Sequence, residues 1–160
     1  MTGTRILALD PGTKRIGVAL SDELGWTAQP LETYERRGIV ADVAHIQHLV
    51  LEHQVSRIVM GFPVRLDGTI GPAALQVQEF IHQLEQSVTV PIVTWDERMT
   101  SKAAEELLIY ANLSRKKRKG TVDRVAAAIL LQSYLESQGT GGSADGQEAD
   151  QTDPVATEGT

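Results

Sequence analysis

An aspartate follows directly on the apolar run Ile6-Leu7-Ala8-Leu9 and opens the turn Asp10-Pro11-Gly12-Thr13-Lys14-Arg15, after which Ile16-Gly17-Val18-Ala19 returns as a second apolar segment. A carboxylate carried on a buried strand loses little further freedom when it binds a cation, and Gly12 and Gly17 let a phosphate or another backbone come close. The same residues also make a plain tight turn, with proline fixing φ and glycine taking the left-handed position. Two further acids invite the same question. Glu97 lies just beyond the apolar segment Pro91–Trp95, and Asp123 opens a helical pattern whose inward face carries Ala126, Ala127 and Leu130. An acid on an apolar face needs a partner, and a cation is one. Phosphodiester cleavage by two cations roughly 4 Å apart needs carboxylates delivered from separate elements to one point. Each acid keeps a plainer reading beside this one: Glu97 as a surface pair with Arg98, and Asp123 as a complement to the helix dipole behind a Thr121 cap.

Strands must deliver these groups. Arg5–Leu9, Ile16–Ser21, Arg57–Gly61 and Pro91–Trp95 have strand-like content, with a fifth across Thr27–Tyr34. Ile39, Val43, Ile46 and Val50 recur at helical spacing ahead of one strand, and Ala74, Val77, Phe80 and Leu84 ahead of another. A helix before each of these strands implies parallel pairing through crossovers, whereas the first strands, joined by short turns, form an antiparallel meander. The expectation is an α/β domain: a mixed five-stranded central sheet with helices on both faces. With the first and last strands as central neighbours, Asp10 and Glu97 would share one edge. Thr100 or Ser101 caps a helix through Tyr110, and a final helix runs from Val122 to Ser137.

At 160 residues the chain has room for one domain, taken as residues 1–137, with 138–160 as a disordered acidic tail of Gly, Ser, Thr, Asp and Gln. The absence of cysteine excludes disulfides, zinc-thiolate sites and thiol nucleophiles. The N-terminus lacks a basic region followed by an apolar run, and the apolar stretches are strand-sized, so a cytoplasmic protein with no membrane partner is expected. The net charge of −6 is unevenly placed. Five of the 21 acids lie in residues 138–160, which hold no Lys or Arg, leaving 16 acids against 15 basic side chains in the body. Within that body Arg115-Lys116-Lys117-Arg118-Lys119 is a dense cationic run suited to phosphates. The four histidines sit on amphipathic helices as solvated residues rather than metal ligands, and Trp26 and Trp95 read as packing residues.

Four segments in order, Leu9-Asp10-Pro11-Gly12-Thr13-Lys14-Arg15-Ile16-Gly17-Val18-Ala19, Val59-Met60-Gly61-Phe62-Pro63 with Asp67-Gly68-Thr69, Asp96-Glu97-Arg98-Met99-Thr100, and Val122-Asp123-Arg124-Val125-Ala126-Ala127, resemble the YqgF family. These are Holliday-junction-resolvase-like proteins held to be pre-16S ribosomal RNA nucleases. The resemblance spans about residues 4–137 and implies an RNase H-like fold. It further implies that Asp10, Glu97 and Asp123 are catalytic and ligate Mg²⁺ or Mn²⁺, for which hard oxygen ligands are chemically apt. Lys14, Arg15 and Arg98, with the Arg115–Lys119 run, are then candidates to hold substrate phosphates, and Gly12, Thr13, Thr100 and Ser101 to support the site. The expected partner is structured RNA or branched DNA, and the protein a monomer or homodimer. Rivals are junction resolution, a non-catalytic nucleic-acid or transcription-factor-binding module, and an ATP-binding actin-like enzyme, for which one domain is too little.

Overall fold

The computed structural model describes residues 4–63, 68–97 and 121–138. The sheet is built from β1 (Arg5–Pro11), β2 (Arg15–Ser21), β3 (Ala28–Glu35), β4 (Val55–Phe62) and β5 (Ile92–Asp96), in the spatial order β3-β2-β1-β4-β5. The meander β1-β2-β3 is antiparallel and β4 and β5 add in parallel, as the connection lengths require. One expectation fails here. The first and last strands are not neighbours, because β4 lies between β1 and β5. The expected Arg115–Lys119 run, the Thr100–Tyr110 helix, Asp67 and the tail from 139 onward lie outside the described residues.

Alternation along each strand sends two different side-chain sets to the two faces. Leu7, Leu9, Ile16, Val18, Leu20, Ile58 and Met60 form one apolar face. Helix α1 (Ile39–Glu52) covers it with Val43, Ile46 and Leu49, and helix α2 (Pro72–Glu85) with Val77, Phe80 and Leu84. Pro72 at the start of α2 gives up only an N–H that would have no helical partner. The opposite face is made of small residues, Ala8, Ala19, Ala28 and Val59. Helix α3 (Thr121–Ser137) lies on it, burying Ala127, Ala128, Leu131 and Tyr134. Small side chains on both partners let that helix approach closely.

Pro30 falls on the edge strand β3, beside a register shift between Val18 and Ala19, where its missing N–H costs no ladder bond. Trp95 packs edge-on against Tyr134 with centroids 5.6 Å apart, as expected of a packing residue. Trp26 does not pack. It is 69% exposed at the β2–β3 turn, held there by its N–H donating to Asp22 Oδ1. That turn is at the opposite sheet edge from Asp10, since β2 runs antiparallel to β1. His45 also departs from the solvated reading: it stacks on Tyr34 at 4.2 Å and pairs with Glu32. No helix among the described residues is long and apolar enough to cross a membrane.

Candidate active site

Asp10 is the penultimate residue of β1, pairs with Gly17 of β2, and is half-buried. The strand therefore runs two residues past the expected end at Leu9, and Asp10 is held by the ladder itself. Gly12 does not adopt a positive φ, contrary to the expected left-handed turn. Its N–H instead donates to the Arg15 carbonyl at 2.8 Å, and a Cβ on it would stand 3.0 Å from that oxygen. The closeness of Arg15's backbone is what selects glycine.

Glu97 follows β5 immediately and must reach Asp10 across the intervening β4. Gly61 makes this possible. A Cβ there would lie 2.9 Å from Glu97 Oε2, 3.4 Å from the Leu9 carbonyl and 2.6 Å from Leu130 Cδ1. The missing side chain is thus the passage through which the Glu97 carboxylate crosses the sheet to share a hydrogen bond with Asp10. Gly17 does the same for the third acid. A Cβ on Gly17 would stand 2.0 Å from the Asp123 carbonyl oxygen, so the first turn of α3 rests directly on β2. The sequence-level idea that Gly17 admits a second backbone holds.

The electrostatics of Asp10 follow from this arrangement. Burial, then the hydrogen bond and negative charge of Glu97, then the charge of Asp123, push the Asp10 carboxyl up to about 7 from 3.8. Among the described residues no group of three His, Cys, Asp or Glu side chains is arranged to hold a metal ion. Carboxylates brought together repel one another unless they share a proton or a cation. The Asp10–Glu97 pair fits a hard divalent ion, whose charge would relieve the repulsion that raises the Asp10 pKa.

A cavity of about 170 Å³ opens beside the acids, with Asp10, Glu97, Gly12, Thr13, Arg36 and Phe80 in its walls. A larger groove of about 260 Å³ between α1 and α2 has no ionisable side chain in its walls and is remote from this chemistry. Of the expected phosphate ligands, Lys14 is exposed at the turn, while Arg15 forms a surface pair with Glu35 at 3.2 Å. Arg98, Thr100, Ser101, Arg115, Lys116, Lys117, Arg118 and Lys119 lie outside the described residues. Sequence reasoning missed Arg36. A signal was available, because Asp42 stands on the apolar face of α1 next to Val43 and an acid there demands a cation.

A family model described as RuvX, Holliday junction resolvase, matches residues 4–137. The chain belongs to the RuvX family. Relatives carrying the name "Putative pre-16S rRNA nuclease" agree in extent. One from Syntrophomonas wolfei is 47% identical over 137 residues, covering 86% of this chain and 97% of the relative. Another from Halalkalibacterium halodurans is 52% identical and covers 84% and 97% respectively. Among solved structures, Thermus thermophilus RuvC in complex with a Holliday junction substrate superposes with a TM-score of 0.60 at 11% identity, covering 84% of this chain and 95% of that one. The fowlpox virus Holliday junction resolvase gives 0.52 at 15% identity, over 83% and 99%. These likenesses establish that the RuvX chain has the RNase H-like fold of the resolvases.

Proposed function

We propose that this RuvX-family protein is a metal-dependent endonuclease that hydrolyses phosphodiester bonds in structured nucleic acid, with the precursor of 16S ribosomal RNA as its substrate. The observation that carries this reading is the meeting of Asp10 and Glu97 across Gly61, with Asp123 brought to the same edge over Gly17. Close packing of Leu130 by itself selects glycine at 61, but it gives no reason for two carboxylates to meet beside that gap. A catalytic site does.

Asp10, Glu97 and Asp123 would hold Mg²⁺ or Mn²⁺, which when bound supplies an activated water and charge neutralisation at the phosphate. The chain's own contribution is placement. β1 fixes Asp10 through its ladder, and the pair through Gly61 sets the bite between two carboxylates. Half-burial keeps bulk water from competing for their lone pairs. Curated relatives bearing the rRNA-nuclease name, at about half identity over nearly their full lengths, support RNA over DNA. Junction DNA is the second reading, favoured by the resolvase family description and by the fold shared with RuvC. A bacterial protein with such a substrate works in the cytoplasm.

Incubating the purified protein with a pre-16S transcript and, separately, a four-way DNA junction tests the reading, each with Mg²⁺, Mn²⁺ or EDTA. Cleavage of the transcript that requires metal and disappears in Asp10→Asn, Glu97→Gln and Asp123→Asn is expected. Junction cleavage alone would move the assignment to DNA. Binding that survives all three substitutions, with no cleavage of either substrate, would leave a non-catalytic binding module.

A further inference from the structure

Arg36 lies one residue past β3 and supplies the basic side chain in the walls of the cavity that Asp10 and Glu97 share. Three contacts fix it. Its Nε donates to Asp42 Oδ2 at 2.8 Å, its Nη1 donates to the Gly12 carbonyl at 2.9 Å, and its Cζ stands 5.2 Å from the centroid of the Phe80 ring. Its backbone N–H also donates to the Lys14 carbonyl at 3.0 Å. Asp42 is itself fully buried. Burial would raise its pKa, but donation from the Arg37 N–H, from Arg36 and from the Tyr34 hydroxyl holds it below its ordinary value. Arg36 is thus pinned on three sides to a charged anchor, to the turn that carries Asp10, and to an aromatic face.

A counter-ion for Asp42 would need only the Nε edge of the guanidinium. This one also spans to the Gly12 carbonyl through Nη1, Arg36 lines the cavity, and the side chain keeps 21% of its exposure. Among the described residues no hydrogen bond engages Nη2. A guanidinium presents five donors in a planar fork suited to phosphate, and prior immobilisation lowers the entropy lost on binding. We propose that Arg36 grips a backbone phosphate of the substrate strand next to the scissile one, through Nη2 and the second Nη1 hydrogen. This inference rests on the nuclease reading. Chemically the ligand is any phosphodiester backbone, so the contact sets position and carries no base preference. Asp42 acts behind it as a positioning residue.

The test uses fluorescence anisotropy with a labelled RNA stem-loop and a labelled four-way DNA junction over a series of KCl concentrations, together with steady-state cleavage. Arg36→Gln strands the Asp42 charge, so the double variant Arg36→Gln with Asp42→Asn is the informative neutral replacement, and Arg36→Lys keeps the charge without the fork. Losing a charge-assisted hydrogen bond should weaken binding by about tenfold to a hundredfold in the double variant. KM should rise by a similar factor, with kcat changing less. Arg36→Lys should fall between wild type and the double variant at an unchanged Tm. If the double variant does not fold, Arg36→Lys decides alone. Wild-type Kd and KM in folded variants would overturn the proposal while leaving the nuclease reading intact, as would a loss confined to kcat, which would mean that Arg36 only holds the Gly12 turn. A wild-type protein that neither binds nor cleaves either probe would remove both readings together.

Discussion

At the level of single residues, the site depends on a carboxyl group that the fold keeps from ionising easily. An unfolded chain ionises Asp10 near 3.8, whereas the folded one holds its proton up to about 7. Both states are protonated below pH 4, so the group then costs the fold nothing. Between pH 4 and 7 the unfolded chain releases the proton first, and stability is lost as pH rises. In EDTA the Tm of wild type should therefore drop more steeply between pH 5 and 8 than that of Asp10→Asn, and saturating Mn²⁺ should close the gap. Parallel melting curves for the two proteins would place Asp10 outside the field of Glu97 and Asp123. Gly61 offers a second handle. Alanine there meets the far ends of two flexible side chains, Leu130 at 2.6 Å and Glu97 at 2.9 Å, so unfolding free energy should fall by about 1–3 kcal/mol. Catalysis should suffer more, by about a hundredfold, since displacing one carboxylate by an ångström misplaces what it holds. Urea titration and the cleavage assay separate the two effects. The three acids were named from the sequence on different grounds: Asp10 directly behind an apolar run, Asp123 on an apolar helical face, and Glu97 through the family resemblance. Arg36 was not singled out, because a basic pair just before a glycine reads as ordinary solvated loop until Asp42 is known to be buried beneath it.

Among the elements, α3 is the one whose position matters most, because it must lie against β2 closely enough for its first turn to join the site. Gly17→Ala would drive a methyl group to within 2.0 Å of the Asp123 carbonyl, which is backbone and cannot swing away. The helix start must lift, and the expected cost exceeds about 3 kcal/mol, above that of Gly61→Ala. Equal m-values with a lower midpoint for Gly17→Ala would show a lifted helix on an otherwise intact fold. Strand and helix identity was readable, since β1, β2 and β4 are short apolar runs and α1 and α2 carry a 3.6-residue pattern. Strand order was not. The placement of β4 between β1 and β5 depends on long-range pairing between residues such as Leu9 and Met60, for which local pattern holds no signal. Gly61 carried a hint, because a glycine inside an apolar strand marks a close approach.

For the molecule as a whole, charge and order of assembly decide behaviour. Replacing Arg115–Lys119 with glutamine should flatten the dependence of log affinity on log salt by up to about 0.9 per phosphate contact on duplex DNA and less on single strands, with kcat at saturation largely retained. An unchanged slope would leave that run without a role in binding. Removing residues 139–160 should leave Tm unchanged, since Val155 is the lone large aliphatic side chain among them. The distribution of the acids along the chain has one further consequence. Asp10, Glu97 and Asp123 come from β1, the residue after β5 and α3, so the proposed site cannot exist in a prefix of the polypeptide that stops short of α3. A ribosome delivers those parts in that order. Until α3 has emerged, the small-residue face of Ala8, Ala19 and Val59 lacks the helix that covers it, and the proposed site lacks its third acid. A nuclease whose substrate is the ribosome's own RNA would in this way be harmless to the machine that is still making it.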